Sequence, residues 1–265
     1  MKYKNVIVLR THFFSQRWHD ILIKLSPAYY VVVVIDGRVQ ELRYDDFKVV
    51  KFNVPNVSSL ELKTANDMQW RFGDYALYLA HNALKNDNIT YDYMWLVEPD
   101  VYMRAPFSEM ISSCAENSYD LLTSYFGVAG PDWMWCKYRH ELSSKNVYMT
   151  FFPFMRLSNR LVTDLISERI KLNTMANDES FVGTFVGNNN YSVNLFSSYS
   201  EVNYSRNSFS YRLPHYLPFI KKRIMPKYNL FHPCFDTFGD YLNHIIKKGS
   251  WKNILKRFFF IENKD

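Results

Sequence analysis

The sequence predicts an α/β fold with a mostly parallel central sheet flanked by helices, and three observations support this prediction. The chain has 265 residues and starts with a β-α-β order of elements. Its predicted strands are nearly continuous runs of β-branched and aromatic residues, which is typical of strands buried on both faces. Acidic residues follow directly where a strand ends, as in Glu98-Pro99-Asp100, and ligands of open α/β sheets bind at that edge.

The first third of the chain predicts a strand, a helix and two further strands. Residues 6–9 are a β-branched run, and residues 16–25 carry apolar residues at helical spacing before Pro27. Residues 29–35 and 47–52 predict the next two strands. Because parallel β-α-β crossovers are almost always right-handed, this start favours a doubly wound sheet.

Helix and strand signals alternate through the rest of the chain. Helices are predicted over residues 66–85, 107–114, 158–170, 177–185 and 241–248, and strands over residues 94–97, 120–124 and 147–156. Residues 127–145 predict a mobile loop, and residues 188–211 have the least regular pattern. No internal repeat or low-complexity linker divides the chain, so we expect one domain over residues 1–265.

The charge of the chain favours an anionic partner. The net charge is +6, and the basic residues are concentrated in the last fifth of the sequence. This suits a nucleic acid, an anionic membrane or a phosphorylated substrate. The sequence contains no zinc-finger spacing, no RNP-like aromatic motif and no Gly-rich RNA-binding loop, so we do not expect a nucleic-acid partner.

Cysteine usage and hydropathy predict a cytoplasmic location. The three cysteines include no CxxC pair, which favours a reducing compartment over a disulfide framework. The N-terminus enters a strand-like run without the apolar segment of a signal peptide. No stretch approaches 18 uninterrupted apolar residues, so we expect no membrane-spanning helix.

The most informative stretch is residues 91–101, in which an aromatic and apolar run ends at Glu98-Pro99-Asp100. Pro99 cannot donate to a sheet, so the predicted strand must stop before it. Two carboxylates are thereby held one residue apart at the end of a buried strand. Such a pair can bind a hard divalent cation whose other positions take substrate phosphates. A solvated acidic turn is the alternative.

This stretch, Tyr-Asp-Tyr-Met-Trp-Leu-Val-Glu-Pro-Asp-Val, resembles the acid-x-acid motif of GT-A-fold nucleotide-sugar glycosyltransferases, and the order of elements is similar over about residues 3–190. The commonest form of that motif is Asp-x-Asp, so Glu98 is a departure from it. The resemblance implies that Asp100 binds Mn²⁺ or Mg²⁺ and that Glu98 lies near the ribose or the metal. The cation would neutralise the diphosphate leaving group as a Lewis acid.

Two later segments bear on the metal. In several GT-A enzymes a late histidine, often just before a proline, completes the metal shell, and Phe231-His232-Pro233 is similar. An ordinary loop is the alternative. The basic run Lys221-Lys222-Arg223 offers a metal-free way to bind a diphosphate, so the metal requirement stays open here.

The candidate catalytic base lies in Asn177-Asp178-Glu179-Ser180-Phe181-x-x-Thr184. An acid at the start of a late helix resembles the base of inverting GT-A enzymes, and branching N-acetylglucosaminyltransferases, which work without metal, carry a similar acid-acid-x-Phe-x-x-Thr pattern. The resemblance favours Glu179 over Asp178 for this role. The alternative is that both acids cap the helix and complement its dipole.

Other polar residues are candidates for the nucleotide by their position. In GT-A folds the helix before the central strand faces the base and ribose, which implies contacts from Arg71 and Asp74; a surface salt link is the alternative. Residues at the ends of the first two strands are candidates in the same way. The full predicted nucleotide-binding set is Arg10, Thr11, Asp36, Arg71, Asp74, Glu98, Lys222 and Arg223.

The resemblance also implies how the chain is divided. It places a nucleotide-sugar-binding half over about residues 1–105, an acceptor half with a small antiparallel portion over about residues 106–230, and a basic tail over about residues 231–265. In that tail, residues 251–261 interleave basic and aromatic side chains, a pattern typical of segments that lie on anionic bilayers. A helix docked on the core is the alternative.

Together with these features, the resemblance implies a glycosyltransferase of bacterial surface polysaccharide synthesis, such as O-antigen, capsule or lipopolysaccharide biosynthesis. It would be cytoplasmic and peripheral on the membrane, and would transfer a sugar to a glycan or lipid-linked acceptor. UDP is the commonest donor nucleotide of this architecture, and a single base implies inversion. The alternatives are a non-catalytic nucleotide-sugar-binding protein and, less favoured, a basic nucleic-acid-binding protein.

Overall fold

A computed structural model of the chain describes residues 1–38, 44–114, 117–211, 213–222 and 227–248. Its strands are β1 (Lys2–Thr11), β2 (Tyr30–Asp36), β3 (Lys48–Phe52), β4 (Thr90–Val97), β5 (Tyr102–Met103), β6 (Leu121–Thr123), β7 (Phe126–Val128), β8 (Tyr148–Thr150), β9 (Phe154–Ser158), β10 (Val193–Leu195), β11 (His215–Tyr216), β12 (Leu230–Phe231) and β13 (Cys234–Phe235). Its α-helices are α1 (Gln16–Leu25), α2 (Val54–Ser58), α3 (Met68–Arg71), α4 (Tyr75–Asn86), α5 (Phe107–Cys114), α6 (Asn159–Leu172), α7 (Asp178–Asn188), α8 (Leu217–Lys221) and α9 (Phe238–Lys248).

A seven-stranded sheet in the order β10-β6-β9-β4-β1-β2-β3 forms the centre of the fold. Strand β9 runs antiparallel to both of its neighbours, whereas the other neighbouring pairs are parallel. Short antiparallel pairs join β5 with β12 and β7 with β8. The predicted α/β fold with a mostly parallel, Rossmann-like sheet and a small antiparallel portion is therefore confirmed.

The central strands explain why polar residues collect at one edge of this sheet. Residues 6–9 of β1, 31–36 of β2 and 94–97 of β4 are buried, as expected for strands covered on both faces. Leu9 pairs with Val97, and Thr11 pairs with Ile35. The parallel register therefore brings the carboxyl ends of β1, β2 and β4 to the same edge.

Two predicted elements are each interrupted in the structure. The helix predicted over residues 66–85 is divided into α3 and α4 at Phe72-Gly73-Asp74, and the strand predicted over residues 147–156 is divided into β8 and β9. In the second case Pro153 has no N–H to donate to a ladder. The carbonyl of Pro153 instead accepts a hydrogen bond from the Glu98 N–H at 2.9 Å.

The structure separates into two compact units. The first comprises Met1–Pro99 and Asn117–Phe196, and it contains the whole seven-stranded sheet. The second comprises Asp100–Glu116 and Ser197–Asp265, and its small apolar cluster centres on Ile220, Phe231 and Cys234. The sequence-based expectation of a single domain over residues 1–265 stays a prediction.

No helix in the described residues is long and apolar enough to cross a membrane. Arg223 and residues 249–265, which include the basic and aromatic tail, lie outside the described residues.

A buried ion pair ties three helices of the first unit together. The Arg169 guanidinium of α6 donates from Nε and Nη2 to the two carboxylate oxygens of Asp74, at 2.9 and 3.0 Å. Nη1 donates to the carbonyl of Ala176 just before α7, at 2.9 Å. Both side chains are fully buried, and the guanidinium lies 4.1 Å from the ring centroid of Phe181. Because the partners are satisfied, this pair can be tolerated in an apolar core.

Removing one partner of this ion pair should be costly. We expect Arg169→Met to lower the free energy of unfolding by about 3–5 kcal/mol, because it leaves the Asp74 carboxylate buried and uncompensated. Urea denaturation of the purified protein measures this loss. The matched control is Lys171→Met, which removes an exposed partner of Glu168 and should cost less than about 1 kcal/mol. Equal losses in the two variants would contradict the assignment.

Candidate functional site

The first part of the candidate site lies at the shared carboxyl edge of β1 and β4. The Arg10 guanidinium, one residue before the end of β1, donates from Nη1 to Glu98 Oε1 at 2.5 Å. Its Nη2 donates to the backbone carbonyl of Gln69 at 2.5 Å. Arg10 and Glu98, both predicted from their positions at strand ends, are therefore in direct contact.

The start of α7 brings a second carboxylate to this arginine. Asn177 caps the helix by accepting from the Ser180 N–H at 3.1 Å. The next residue, Asp178, accepts from the Glu179 N–H at 2.8 Å and from the Gly73 N–H at 3.1 Å. Asp178 Oδ2 lies 3.9 Å from Arg10 Nη1. The guanidinium is thus within ion-pair distance of both Glu98 and Asp178.

Glycine at position 73 allows this close approach. A Cβ atom there would lie 2.2 Å from Arg10 Nη1 and 2.2 Å from Asp178 Oδ2, far inside van der Waals contact. Any larger residue would therefore displace the ends of the Arg10 and Asp178 side chains from their present positions. The predictions did not include Gly73, although a glycine inside a helical pattern is a recognised signal of close backbone approach or of a helix end.

The environment of Asp178 changes its acidity. Burial is the largest influence and raises the pKa of its carboxyl group. The Arg10 guanidinium opposes this shift, whereas the negative charges of Asp74 and Glu98 reinforce it. The net result is a pKa raised to about 7. At neutral pH a substantial fraction of Asp178 is therefore ionised and a substantial fraction is protonated. A carboxylate with such a pKa is well suited to accept a proton from a substrate.

Helix α1 fixes the end of the acidic turn. The carbonyl of Pro99 accepts from Arg17 Nη2 at 2.6 Å and from Trp18 Nε1 at 2.7 Å. Trp18 is almost completely buried, so its indole is a rigid donor. Trp18 is one of the apolar residues of the helix predicted over residues 16–25, but the prediction did not include a contact between this helix and the acidic turn.

In the second unit, Asp100 and His232 lie together. His232 Nε2 is 3.4 Å from Asp100 Oδ2, and the Cys234 N–H donates to the Asp100 carbonyl at 2.7 Å. His232 Nδ1 lies 3.2 Å from the carbonyl of Ser210, and because a carbonyl can only accept, Nδ1 carries the hydrogen. In a neutral imidazole, Nε2 then presents a lone pair towards a carboxylate.

Two acceptors that face each other at this distance need a positive charge between them. A proton on His232 would supply it, and so would a divalent cation. The backbone carbonyl that orients Nδ1 is the outer partner that metal-binding histidines commonly have. Asp100 and His232 therefore fit the chemistry of a Mn²⁺ or Mg²⁺ site.

The remaining predicted residues have other partners in the structure. Thr11 donates to the carbonyl of Phe13 at 2.7 Å, and Arg71 donates to Asp67 at 2.6 Å and to the Tyr138 hydroxyl at 3.1 Å. Asp36 binds Arg38; burial alone would raise the pKa of Asp36, but the hydrogen bonds from Arg38 lower it below its usual value. Lys222 is exposed.

Asp74 departs most from its predicted role. We expected it to accept from ribose or uracil, but it is fully buried and its two oxygens bind Arg169. The Tyr78 hydroxyl donates to the same carboxylate at 2.9 Å. A nucleotide could reach Asp74 only by displacing these partners, so we replace the predicted nucleotide contact with a structural ion pair. Glu179 is also buried at the start of α7.

The raised pKa of Asp178 predicts a specific pH dependence of stability. The folded state holds the Asp178 proton more tightly than the unfolded state, in which the pKa is about 4. The stability that this group contributes is thus present at low pH and is lost as the pH rises through about 7. We expect the unfolding free energy of the wild type, relative to that of Asp178→Asn, to fall between about pH 4 and pH 7.

Urea denaturation at a series of pH values tests this expectation. The matched control is Asp132→Asn, at an exposed position, for which the difference from the wild type should change little over the same range. A difference for Asp178→Asn that stays constant with pH would show that the pKa of Asp178 is not raised.

No family model matches the sequence, and no curated protein matches it. Among solved structures, the chain is similar to that described as the crystal structure of A197 from STIV, with 13% sequence identity and a TM-score of 0.27. The similarity covers 60% of this chain and 67% of that one.

Proposed function

We propose that the chain is a nucleotide-sugar-dependent glycosyltransferase with an inverting mechanism. The observation that carries this proposal is the group formed by Arg10, Glu98 and Asp178 at the carboxyl edge of the sheet. It combines a guanidinium suited to phosphate with a buried carboxylate whose pKa is about 7. These are the two functions that transfer from a sugar diphosphate to a hydroxyl group requires.

We assign the role of base to Asp178. As the oxygen of the acceptor hydroxyl forms its bond to the anomeric carbon, the bond between that carbon and the diphosphate oxygen breaks. The hydroxyl proton passes to the Asp178 carboxylate, and the diphosphate leaves with the electron pair of the broken bond. Attack opposite the leaving group inverts the anomeric carbon.

The preference for Asp178 over Glu179 comes from geometry. The sequence resemblance favoured Glu179; we prefer Asp178 because its Oδ2 lies 3.9 Å from Arg10 Nη1. Its hydrogen bond from Gly73 and its N-terminal place on α7 hold the carboxylate in one orientation. A base that is positioned in this way needs little reorganisation during proton transfer.

We assign the recognition of phosphate in the first unit to Arg10 and the binding of a cation in the second unit to Asp100 and His232. Arg10 presents a planar fork of donors that matches phosphate oxygens. Asp100 and His232 would hold Mn²⁺ or Mg²⁺, and such a cation supplies Lewis-acid neutralisation of charge on the leaving group when it is bound. Glu98 stays a predicted ribose or metal contact from its place in the acid-x-acid turn.

The remaining parts of the proposal rest on the sequence resemblance. The acceptor would be a glycan or lipid-linked oligosaccharide of a bacterial surface polysaccharide, and the donor nucleotide would be UDP. The protein would work in the cytoplasm at the membrane surface, reached through the basic and aromatic tail.

Loss of the base should abolish transfer without abolishing donor binding. We expect Asp178→Asn to lower kcat for sugar transfer about 10²–10⁴-fold and to leave thermal stabilisation by the nucleotide sugar in place. Glu179→Gln is the matched comparison and should lose much less activity. The assay is transfer from a panel of UDP-sugars, selected first by thermal shift because binding to the folded state raises Tm.

Three outcomes would contradict this assignment. Loss of activity in Glu179→Gln with retention in Asp178→Asn would transfer the role to Glu179. Tight binding of a UDP-sugar by the wild type with neither hydrolysis nor transfer would instead identify a non-catalytic nucleotide-sugar-binding protein. Binding of no nucleotide sugar at all would overturn the proposal.

The metal site gives an independent prediction. We expect Mn²⁺ to raise Tm in the wild type, and we expect Asp100→Asn and His232→Gln each to remove most of this shift because each deletes a ligand. His140→Gln, at an exposed position of the first unit, is the matched control and should keep the shift. A shift that persists in Asp100→Asn would show that the metal binds elsewhere.

A further inference from the structure

An exposed tryptophan stands next to the candidate site. Trp70 in α3 has 64% of its surface exposed. It follows Gln69, whose carbonyl accepts from Arg10, and it precedes Gly73, whose N–H binds Asp178. The indole is therefore held within a few residues of the groups that we assign to catalysis.

The ring of Trp70 is buttressed from the side. Its centroid lies 5.9 Å from that of Trp135, which is buried, and Trp135 stacks on Tyr138 at 5.9 Å. The Arg71 guanidinium lies 5.8 Å from the centroid of Trp135. These contacts support the indole while leaving much of it exposed to water.

A carboxylate neighbours the same ring. Asp67 lies three residues before Trp70 and four residues before Arg71, so its side chain is the helical neighbour of both. Arg71 is held by two hydrogen bonds to Asp67 Oδ2 and one to the Tyr138 hydroxyl. The Asp67 side chain is 41% exposed. An exposed aromatic face is thus the helical neighbour of a carboxylate that in turn orients a guanidinium.

We propose that Trp70, Asp67 and Arg71 form a subsite for a hexopyranose ring of the acceptor glycan, an inference that rests on the proposed glycosyltransferase function. A pyranose has an apolar face of C–H groups that stacks on an indole. Its hydroxyl groups, at the ring edge, both donate and accept. Asp67 would accept from one hydroxyl, and Arg71 would donate to its neighbour.

The chemistry of the patch favours a sugar over other occupants. A carboxylate and a guanidinium beside an apolar face match the amphipathic surface of a sugar ring. An open platform leaves most of a ligand in water, as suits one ring of a longer glycan, whereas small-molecule sites usually enclose most of their ligand. A stable protein–protein interface would need about 800 Å² on each partner, which a single exposed indole does not provide.

Binding of simple glycosides tests the subsite without requiring turnover. The probes are methyl β-D-galactopyranoside, methyl β-D-glucopyranoside and methyl N-acetyl-β-D-glucosaminide, titrated against the full chain while the indole N–H signals are followed by NMR. We expect one glycoside to shift the Trp70 signal, which is assigned by its loss in Trp70→Phe. Trp70→Ala should weaken binding about tenfold or more, and Trp70→Phe should weaken it less because a smaller aromatic face remains.

The matched control is Tyr119→Ala, which removes a different exposed aromatic side chain and should leave glycoside binding unchanged. Equal glycoside affinity in Trp70→Ala and the wild type would overturn the inference. A shift of the Trp70 signal with UMP, and with none of the glycosides, would also overturn it, because it would assign the ring to a nucleotide base.

Failure of the subsite and failure of the proposed function are distinguishable. If both hold, Trp70→Ala loses transfer to the glycan acceptor but keeps hydrolysis of the nucleotide sugar in its absence. If Trp70-dependent glycoside binding occurs and no nucleotide sugar binds or reacts, the subsite stands and the proposed function fails. If transfer proceeds equally in Trp70→Ala and the wild type, the function stands and the subsite fails.

Discussion

The candidate site depends on an exchange of hydrogen bonds that interrupts a helix. The last helical hydrogen bond of α3 runs from the Phe72 N–H to the Met68 carbonyl. If the helix continued, the next bond would run from the Gly73 N–H to the Gln69 carbonyl. Instead, the Gly73 N–H donates to Asp178, and the Gln69 carbonyl accepts from Arg10. The two side chains therefore take the places of the missing helical partners. Backbone groups that are left without partners are costly when buried, so the interruption and the site stabilise each other.

Charge balance connects this interruption to the acidity of Asp178. The first unit brings together two guanidinium groups, those of Arg10 and Arg169, and three carboxylates, those of Asp74, Glu98 and Asp178. Arg169 neutralises Asp74, and Arg10 lies closer to Glu98 than to Asp178. Asp178 is thus the carboxylate with the weakest compensation, and burial makes its negative charge more costly. A proton on Asp178 balances the charge of this set, in agreement with the raised pKa of its carboxyl group.

The sequence predicted those features of the site that local patterns determine. Runs of buried residues placed Arg10 and Glu98 at strand ends, and the Asn-Asp-Glu order placed Asp178 at a helix start. The partners that give these residues their properties lie far along the chain: Gly73 and Asp178 are 105 residues apart, and Asp74 and Arg169 are 95 residues apart. No spacing rule links residues at such separations. For this reason Asp74 was expected to meet a nucleotide, and Arg169 and Gly73 were not expected to matter.

The two carboxylates of the acid-x-acid turn have different surroundings, and this difference indicates different tasks. Glu98 belongs to the first unit, where its side chain binds Arg10 and its N–H binds the Pro153 carbonyl. Asp100 belongs to the second unit, where His232 and the Cys234 N–H contact it. Pro99 has no N–H group to donate, so the hydrogen-bond ladder of β4 cannot continue through it. The carbonyl of Pro99 accepts hydrogen bonds from Arg17 and Trp18. Glu98 therefore orients Arg10 through a direct hydrogen bond, whereas Asp100 lies beside His232, and this pair is the one that the proposed function assigns to a cation.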